Sequence, residues 1–334
     1  MTVLVIGGCG YIGSHVVKAL VEGGQSVVVF DNLETGYDKA RQRVEALTGA
    51  AVPLFTGDIR NPDDLSRCFG EHAIDAVIHF AAYKNPGESV TEIAKYYRNN
   101  VLGLINVVEA MRGAGATKLV FSSSCSVYGT PASNPVDESF PTAPESPYGD
   151  SKRIGEMLLR DYCATGAIRA TSLRYFNASG ADPSGDLGED PSISMNLIPI
   201  AMKVLRGELA EVKVFGDDYD TADGTCIRDY IHISDLASGH VKALEALADR
   251  DGHHVYNLGT GTGASVLEVL EELRAQSGQP IPHQVVARRP GDPTQIFGDP
   301  SKAETELQWQ ANFGIKEIIR DTLLWQHKHP SGYQ

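Results

Sequence analysis

Tyr148 and Lys152 stand four positions apart at the head of a stretch that continues Ile154, Met157, Leu158 and Tyr162 with helical spacing. On a helix such a pair lies on one face, one turn apart. An ammonium beside a phenol favours the phenolate, drawing the tyrosine from its reference pKa of about 10 toward the working range of a general base. Of the 13 tyrosines, only Tyr148 has a lysine at that offset. Upstream, Phe121-Ser122-Ser123-Ser124 closes a buried-type strand. In an open α/β sheet the ligand crevice lies outside the carboxyl ends of the strands. A hydroxyl at Ser124 would then face the same crevice as Tyr148, placed to hold a substrate hydroxyl or pass a proton. Strand-end serines also serve simply to satisfy backbone groups.

A second constellation begins at Gly7-Gly8-Cys9-Gly10-Tyr11-Ile12-Gly13, between an apolar run and a helical pattern. Glycines at Gly7, Gly10 and Gly13 let the backbone turn tightly and approach a pyrophosphate, which the helix N-terminus attracts. Among 34 glycines, a trio on its own also makes an ordinary turn. Here the next apolar run ends in Asp31, 18 residues beyond Gly13. A carboxylate there accepts both hydroxyls of an adenosine ribose and repels a 2′-phosphate, which selects NAD over NADP.

These residues need a scaffold. Short β-branched runs recur at Val3–Ile6, Val27–Phe30, Val52–Phe55, Ala76–Phe80, Leu119–Ser122 and Thr171–Arg174, separated by helical patterns such as Ile12, Val16, Ala19 and Leu20. That alternation predicts an α/β fold, a Rossmann-type doubly wound parallel sheet with a smaller mixed α/β substrate domain. One helix is expected from about Ile93 to Met111, with Ile93, Tyr97, Val101, Leu104, Val108 and Met111 on one stripe, and Leu102, Ile105 and Val107 beyond it. Such a helix is either deeply buried or also lines a subunit interface. From 178 to 225 the chain is rich in Gly, Pro and Asp and the alternation breaks down. Residues 229–258 read as a return, ending in a strand at Val255–Leu258. The expected division is 1–177 with 229–258 for NAD, and 178–228 with 259–334 for substrate. Ser265 and Glu268 fit a capping box, and Asp299-Pro300 a helix start with Pro at the first helical position.

The chain carries 29 basic against 43 acidic residues, a net −14, which argues against nucleic-acid or anionic-membrane partners. The five scattered cysteines form no Cys-x-x-Cys pair and suit a reducing, cytoplasmic setting. The N-terminal run has no basic flank or cleavage site, no apolar run is long enough to span a bilayer, and the histidines lack metal-site spacing, so no signal peptide, membrane span or metal is expected.

Together these residues resemble an extended short-chain dehydrogenase/reductase, and nearly the whole chain is similar to bacterial UDP-glucose 4-epimerases. The resemblance rests on Gly-Tyr-Ile-Gly-Ser-His (10–15), Gly57-Asp-Ile-Arg-Asn, Leu173-Arg-Tyr-Phe-Asn177, Arg228-Asp-Tyr-Ile-His, Tyr256-Asn-Leu-Gly and Arg288-Arg-Pro-Gly-Asp292. It implies that retained NAD meets Tyr11, Ile12, Asp31, Asn32, Leu33, Glu34, Thr35, Gly36, Asp58 and Ile59. It implies further NAD contacts at Phe80, Ala81, Ala82, Tyr83, Lys84, Asn99, Ser124, Tyr148, Lys152 and Phe176. For the UDP-hexose it implies Asn177, Asn196 and Leu197, Val214 and Phe215 around the uracil, Arg228 and Arg289 at the pyrophosphate, and Asp292 at the ribose, with a homodimer as the assembly. The implied reaction moves hydride from sugar C4 to NAD and back after the 4-keto sugar turns over, with Tyr148, Ser124 and Lys152 as the catalytic set.

Two departures stand out. Tyr83-Lys-Asn-Pro-Gly-Glu-Ser replaces a more usual Leu-Lys-Ala-Val-Gly-Glu-Ser, and Ile296 stands where some relatives carry a bulky aromatic at the sugar pocket, leaving room for a 2-N-acetyl group. A 4,6-dehydratase would need an acid pair after Ser124, where this chain has Cys125 and Ser126. A non-catalytic NAD sensor of the same fold would usually lose the Tyr or the Lys, and a dehydrogenase releasing NADH would show net absorbance.

Overall fold

The computed structural model describes residues 1–192, 196–289 and 292–334. Strands β1 (Thr2–Ile6), β2 (Ser26–Asp31), β3 (Leu54–Thr56), β4 (Ala76–His79), β5 (Lys118–Ser122) and β6 (Arg169–Tyr175) alternate with helices α1 (Tyr11–Glu22), α2 (Asp38–Thr48), α3 (Pro62–Glu71), α4 (Pro86–Thr91), α5 (Ile93–Tyr96), α6 (Gly103–Ala114) and α7 (Pro147–Ala164). The remaining elements are β7 (Asn177–Ser179), α8 (Leu197–Leu205), β8 (Val212–Phe215), β9 (Ile227–Arg228), β10 (Tyr230–His232), α9 (Ile233–Ala246), β11 (His253–Leu258), β12 (Ala264–Ser265), α10 (Val266–Ser277), β13 (His283–Val286), β14 (Gln295–Ile296), α11 (Ser301–Leu307) and α12 (Ile315–Lys328).

Seven strands form one sheet in the order β11-β6-β5-β4-β1-β2-β3, every pairing parallel. Because side chains alternate between faces, each continuous apolar strand feeds two cores. Val3 and Val5 of β1, Val27 and Val29 of β2, and Ile78 of β4 join the core beneath α1 and α9. Leu4, Ile6, Val28, Phe30 and Val77 join the core beneath α3, α6 and α7. Each fully buried Val, Leu or Ile contributes about 1.5–3 kcal/mol. The doubly wound expectation is met on both faces.

A third core gathers Ile198, Met202, Val212, Val214, Leu270, Leu273, Ile318 and Ile319 around short two- and three-stranded sheets. Ala303, Leu307, Trp309, Trp325 and Tyr333 pack instead into the core beneath α1 and α9, so the C-terminal third interlocks with the large sheet.

Two local expectations are refined and a third is met. The helix from Ile93 runs on to Ala114, but its turn Tyr97–Leu102 is a π-helix, which buries the consecutive Asn99 and Asn100 and leaves Ile93 and Leu102 exposed. A wider turn breaks the single 3.6-residue stripe that periodicity assumes. The Ser265/Glu268 capping box forms as expected. Pro300 caps α11 rather than opening it, since the Asp299 carboxylate accepts the Ser301 N–H at 2.9 Å and sets the first turn one residue later.

Candidate active site

The carboxyl ends of the large sheet collect the expected cofactor residues. The β1–α1 turn is held by Gly7 (φ +83) and by Gly13, where a Cβ would lie 2.1 Å from the Gly7 oxygen. Gly10 differs: a Cβ there would meet only the Gly7 oxygen, at 3.4 Å. Packing within the protein therefore does not require that glycine, and its bare backbone leaves room for a ligand at the α1 N-terminus, which no side chain caps. At the end of β2, Asp31 is 7% exposed, and its carboxylate accepts the Cys9 and Leu33 N–H groups at 2.9 Å each. Each oxygen keeps a lone pair for a ribose hydroxyl. Burial raises its pKa, the two backbone bonds opposing. The cradle fits a dinucleotide.

Neighbouring loops carry the rest. Asn32 and Glu34 are hydrogen-bonded, and Asn32 Nδ2 also donates to Asp58 at 3.3 Å. Leu33 adopts φ +60, while Thr35 is exposed and Gly36 is buried against Cys9. Ile59 packs beneath Gly103, and its carbonyl accepts the Asn106 amide at 2.9 Å. After β4, Phe80 packs on His240, Ala81 and Ala82 are half-buried, and Lys84 pairs with Glu189 at 3.4 Å. Asn99 donates to Asn100 at 3.0 Å, while Tyr11 donates its hydroxyl to the Gly180 carbonyl at 2.7 Å. Ile12 packs at the edge of the core beneath α1.

Helix α7 brings the catalytic pair to this edge. Ser146 caps it by accepting the Gly149 N–H at 3.2 Å, Pro147 follows the cap, and Tyr148 enters in the first turn. A Cβ on Gly149 would lie 2.8 Å from the Ser126 oxygen, so the helix start packs directly on the turn carrying Ser124. Ser124 caps that turn, accepting the Ser126 N–H at 3.2 Å. Tyr148 is 8% exposed, and burial pushes its phenol up to about 12, with the Ser124 hydroxyl beside it opposing.

That corrects the expected role of Lys152. Its Nζ donates to the Ser122 carbonyl at 2.6 Å and stands 6.0 Å from the Tyr148 ring centre, and burial outweighs whatever pull it exerts on the phenol. Burial lowers Lys152 to about 7, opposed by Glu156 one turn on. Its charge in turn helps burial hold His79 down at about 3 and therefore neutral.

Glu156, Arg174 and Tyr175 were missed by the sequence reading. Glu156 accepts Arg174 Nη2 at 2.6 Å, Arg174 Nε at 2.9 Å and the Ser123 hydroxyl at 2.6 Å, with both charged side chains under 10% exposed. Tyr175 hydrogen-bonds the Ser122 hydroxyl, so Ser122 touches both Tyr175 and Lys152. The signal available was the i, i+4, i+8 stripe Tyr148, Lys152, Glu156.

The expected substrate residues line the adjoining lobe. Asn177 lies on β7, Asn196 and Leu197 open α8, and Val214 and Phe215 lie on β8. Arg228 on β9 pairs with Asp292, joining the expected pyrophosphate and ribose ligands. Arg289 lies over the Phe215 ring at 3.8 Å. Pro290 and Gly291 of that motif lie outside the described residues. Phe176 and Ile296 (7% exposed) share a small cluster with Val127, Tyr128 and Val136, so Ile296 presents a packed wall. Cys125, pushed up to about 12 chiefly by burial, holds its proton and offers no acid–base pair for dehydration.

Residues 3–259 match the NAD dependent epimerase/dehydratase family. The UDP-glucose 4-epimerase of Bacillus subtilis is 46% identical over 336 residues, covering 100% of this chain and 99% of the relative. That of Mus musculus is 47% identical over 340 residues, covering 99% and 98%. Among solved structures, the UDP-glucose 4-epimerase of Stenotrophomonas maltophila with bound NAD and formylated UDP-arabinopyranose superposes with TM-score 0.96 at 44% identity, covering 99% of each chain. The Bifidobacterium longum UDP-glucose 4-epimerase in complex with NAD+ and UDP gives 0.95 at 46% identity, covering 99% of this chain and 100% of that one. On this agreement along nearly its whole length, the chain belongs to the NAD dependent epimerase/dehydratase family and, within it, to the UDP-glucose 4-epimerases.

Proposed function

We propose that this chain interconverts UDP-galactose and UDP-glucose at the crevice between the large sheet and the β8–β9 lobe. The observation that carries the reading is the Ser124–Tyr148–Lys152 cluster at the strand ends beside the glycine turn. NAD, when bound, supplies a cationic nicotinamide that takes and returns hydride at sugar C4. Asp31, the glycine turn and the loops bearing Asp58 and Phe80–Lys84 would hold it.

The chain's own residues handle the proton and the orientation. Burial holds the Tyr148 phenol protonated in the ligand-free protein; it first gives that proton up to solvent, and the resulting phenolate takes the proton of the sugar O4 and hands it back when hydride returns. Ser124 orients that phenol and can relay the proton. Lys152 fixes the floor of the site through the Ser122 carbonyl and, charged, favours the phenolate as the proton leaves. Arg228, Arg289 and Asp292 suit a nucleoside diphosphate, because guanidinium binds phosphate through paired, charge-assisted bonds. Such anchors hold the nucleotide while the hexose, with few polar partners, presents either face.

Residues 1–177 with 229–258 form the proposed cofactor lobe, and 178–228 with 259–334 the substrate lobe. A homodimer is proposed through the exposed Val90, Ile93, Leu102 and Met157 on the adjoining α4–α6 and α7 helices. A cytoplasmic location is supported by five unpaired cysteines, four of them buried. Among the described residues no helix is long and apolar enough to cross a membrane. Ile296 is proposed to admit a 2-N-acetyl group, and equal rejection of UDP-N-acetylglucosamine by wild type and Ile296→Ala would refute that.

The test is incubation with UDP-galactose without added cofactor, following UDP-glucose and NADH. Product without net NADH is expected. No product even with added NAD, from folded protein, would overturn the reading.

A further inference from the structure

We propose that Tyr83 and Glu34 form a clasp that retains the dinucleotide in its crevice, an inference that rests on the NAD reading above. In the sheet, β1 lies between β4 and β2, so the glycine turn after β1 is flanked by the loop after β4 and the loop after β2. The Tyr83 hydroxyl, from the first loop, donates to Glu34 Oε1 in the second at 2.6 Å. This bond joins two loops that otherwise stand on opposite sides of the turn. A ligand seated on that turn would lie between the two loops that the bond joins.

Both ends of the clasp are braced. The Tyr83 N–H donates to Asn100 Oδ1, and its carbonyl accepts Asn100 Nδ2, each at 3.0 Å. Lys95 Nζ lies 4.2 Å from the centre of the Tyr83 ring, whose other neighbour is Tyr96 at 5.8 Å. On the far side, Arg60 Nη2 approaches Glu34 at 3.5 Å and Asn32 donates to the same carboxylate at 3.4 Å. Burial first, and then Glu34, push the Tyr83 phenol up to about 12, so it remains a donor across the working pH range. The neighbouring Lys84 pairs with Glu189 at 3.4 Å, a second tie on the loop after β4. A leucine at position 83 could fill the same space but could not make the bond.

The experiment uses full-length protein loaded with radiolabelled NAD and chased with excess unlabelled NAD, following the label that stays bound. Tyr83→Phe keeps the ring against Lys95 and Tyr96 and removes only the donor, while Glu34→Ala removes the acceptor. Each is expected to release label about fivefold faster, a charge-assisted bond discounted for exposure. The double variant is expected to be no faster than Glu34→Ala alone, because that variant already removes the bond that Tyr83→Phe removes. Glu34→Gln, which keeps an acceptor, is expected to fall between wild type and Glu34→Ala. Release unchanged in both single variants, or single effects that multiply in the double, would overturn the clasp while leaving NAD binding intact. A wild type that takes up no label would overturn the NAD reading and the clasp together.

Discussion

Glu156→Gln tests whether the catalytic edge depends on a buried charge behind it. Glu156 lies one turn beyond Lys152 on α7 and receives two Arg174 donors and the Ser123 hydroxyl, with the ion pair's side chains 6% and 9% exposed. Arg174 Nη1 is already buried without a partner, and the guanidinium lies over the Tyr128 ring at 4.8 Å. Glutamine keeps the shape and one accepting oxygen but strands the guanidinium's charge. Breaking a buried pair from one side costs about 3–5 kcal/mol, and the retained oxygen places this variant near the lower end. Urea unfolding is expected to show a loss of about 3 kcal/mol, with the slope m unchanged. A second effect follows from sign. The Glu156 charge favours protonated Lys152 against burial, so its removal lowers the Lys152 pKa further. The alkaline limb of kcat against pH is then expected to move to lower pH. A stability loss below about 0.5 kcal/mol, the range of ordinary surface substitutions, with an unmoved pH profile, would refute the argument.

Tyr148→Phe is expected to lower kcat about 100- to 10,000-fold while bound NAD persists, measured by turnover and by cofactor content after denaturation. Gly13→Ala places a Cβ 2.1 Å from the Gly7 oxygen and 2.9 Å from the Gly8 Cα, and is expected to weaken NAD binding about tenfold by titration. Tyr128 and Tyr148 are both raised to about 12 from 10.0. The folded state therefore binds more protons than the unfolded above pH 10, so their contribution is complete below about pH 10 and lost toward pH 12. Urea midpoints should fall across that window. Leu102→Glu with Met157→Glu is expected to turn a dimer into a monomer in sedimentation velocity, and an unchanged mass would reject the proposed interface.

Most strand runs were legible because they are apolar on both faces, a pattern that survives without knowing its partners, while Thr171–Arg174 stood out by β-propensity and spacing alone. The glycine turn, Asp31 and the Tyr148–Lys152 offset were legible because their spacing is local. What eluded the sequence was electrostatic balance. Four-residue spacing places Lys152 near Tyr148, but not its bond to the Ser122 carbonyl or the burial that drives its pKa downward. The Arg174–Glu156 pair joins a strand to a helix 18 residues away, and nothing in periodicity couples them. The π turn was equally hidden, because one extra residue per turn leaves composition unchanged.

That π turn makes one long helix behave as two brackets set at different angles. An α-helix advances about 100° per residue, so an extra residue at Tyr97–Leu102 puts the preceding and following segments about one residue out of phase. Ahead of it, Tyr96 holds the backbone of Asn85. Within it, Asn100 grips Tyr83 on one side and Ser151 of α7 on the other. Beyond it, Asn106 holds the carbonyl of Ile59. One rod therefore sets the spacing between two cofactor loops and the catalytic helix, as a gauge block does. Deleting Val101 would restore uniform winding and turn Asn100 away from Tyr83 and Ser151, loosening one cofactor loop from the catalytic helix with no crevice side chain removed.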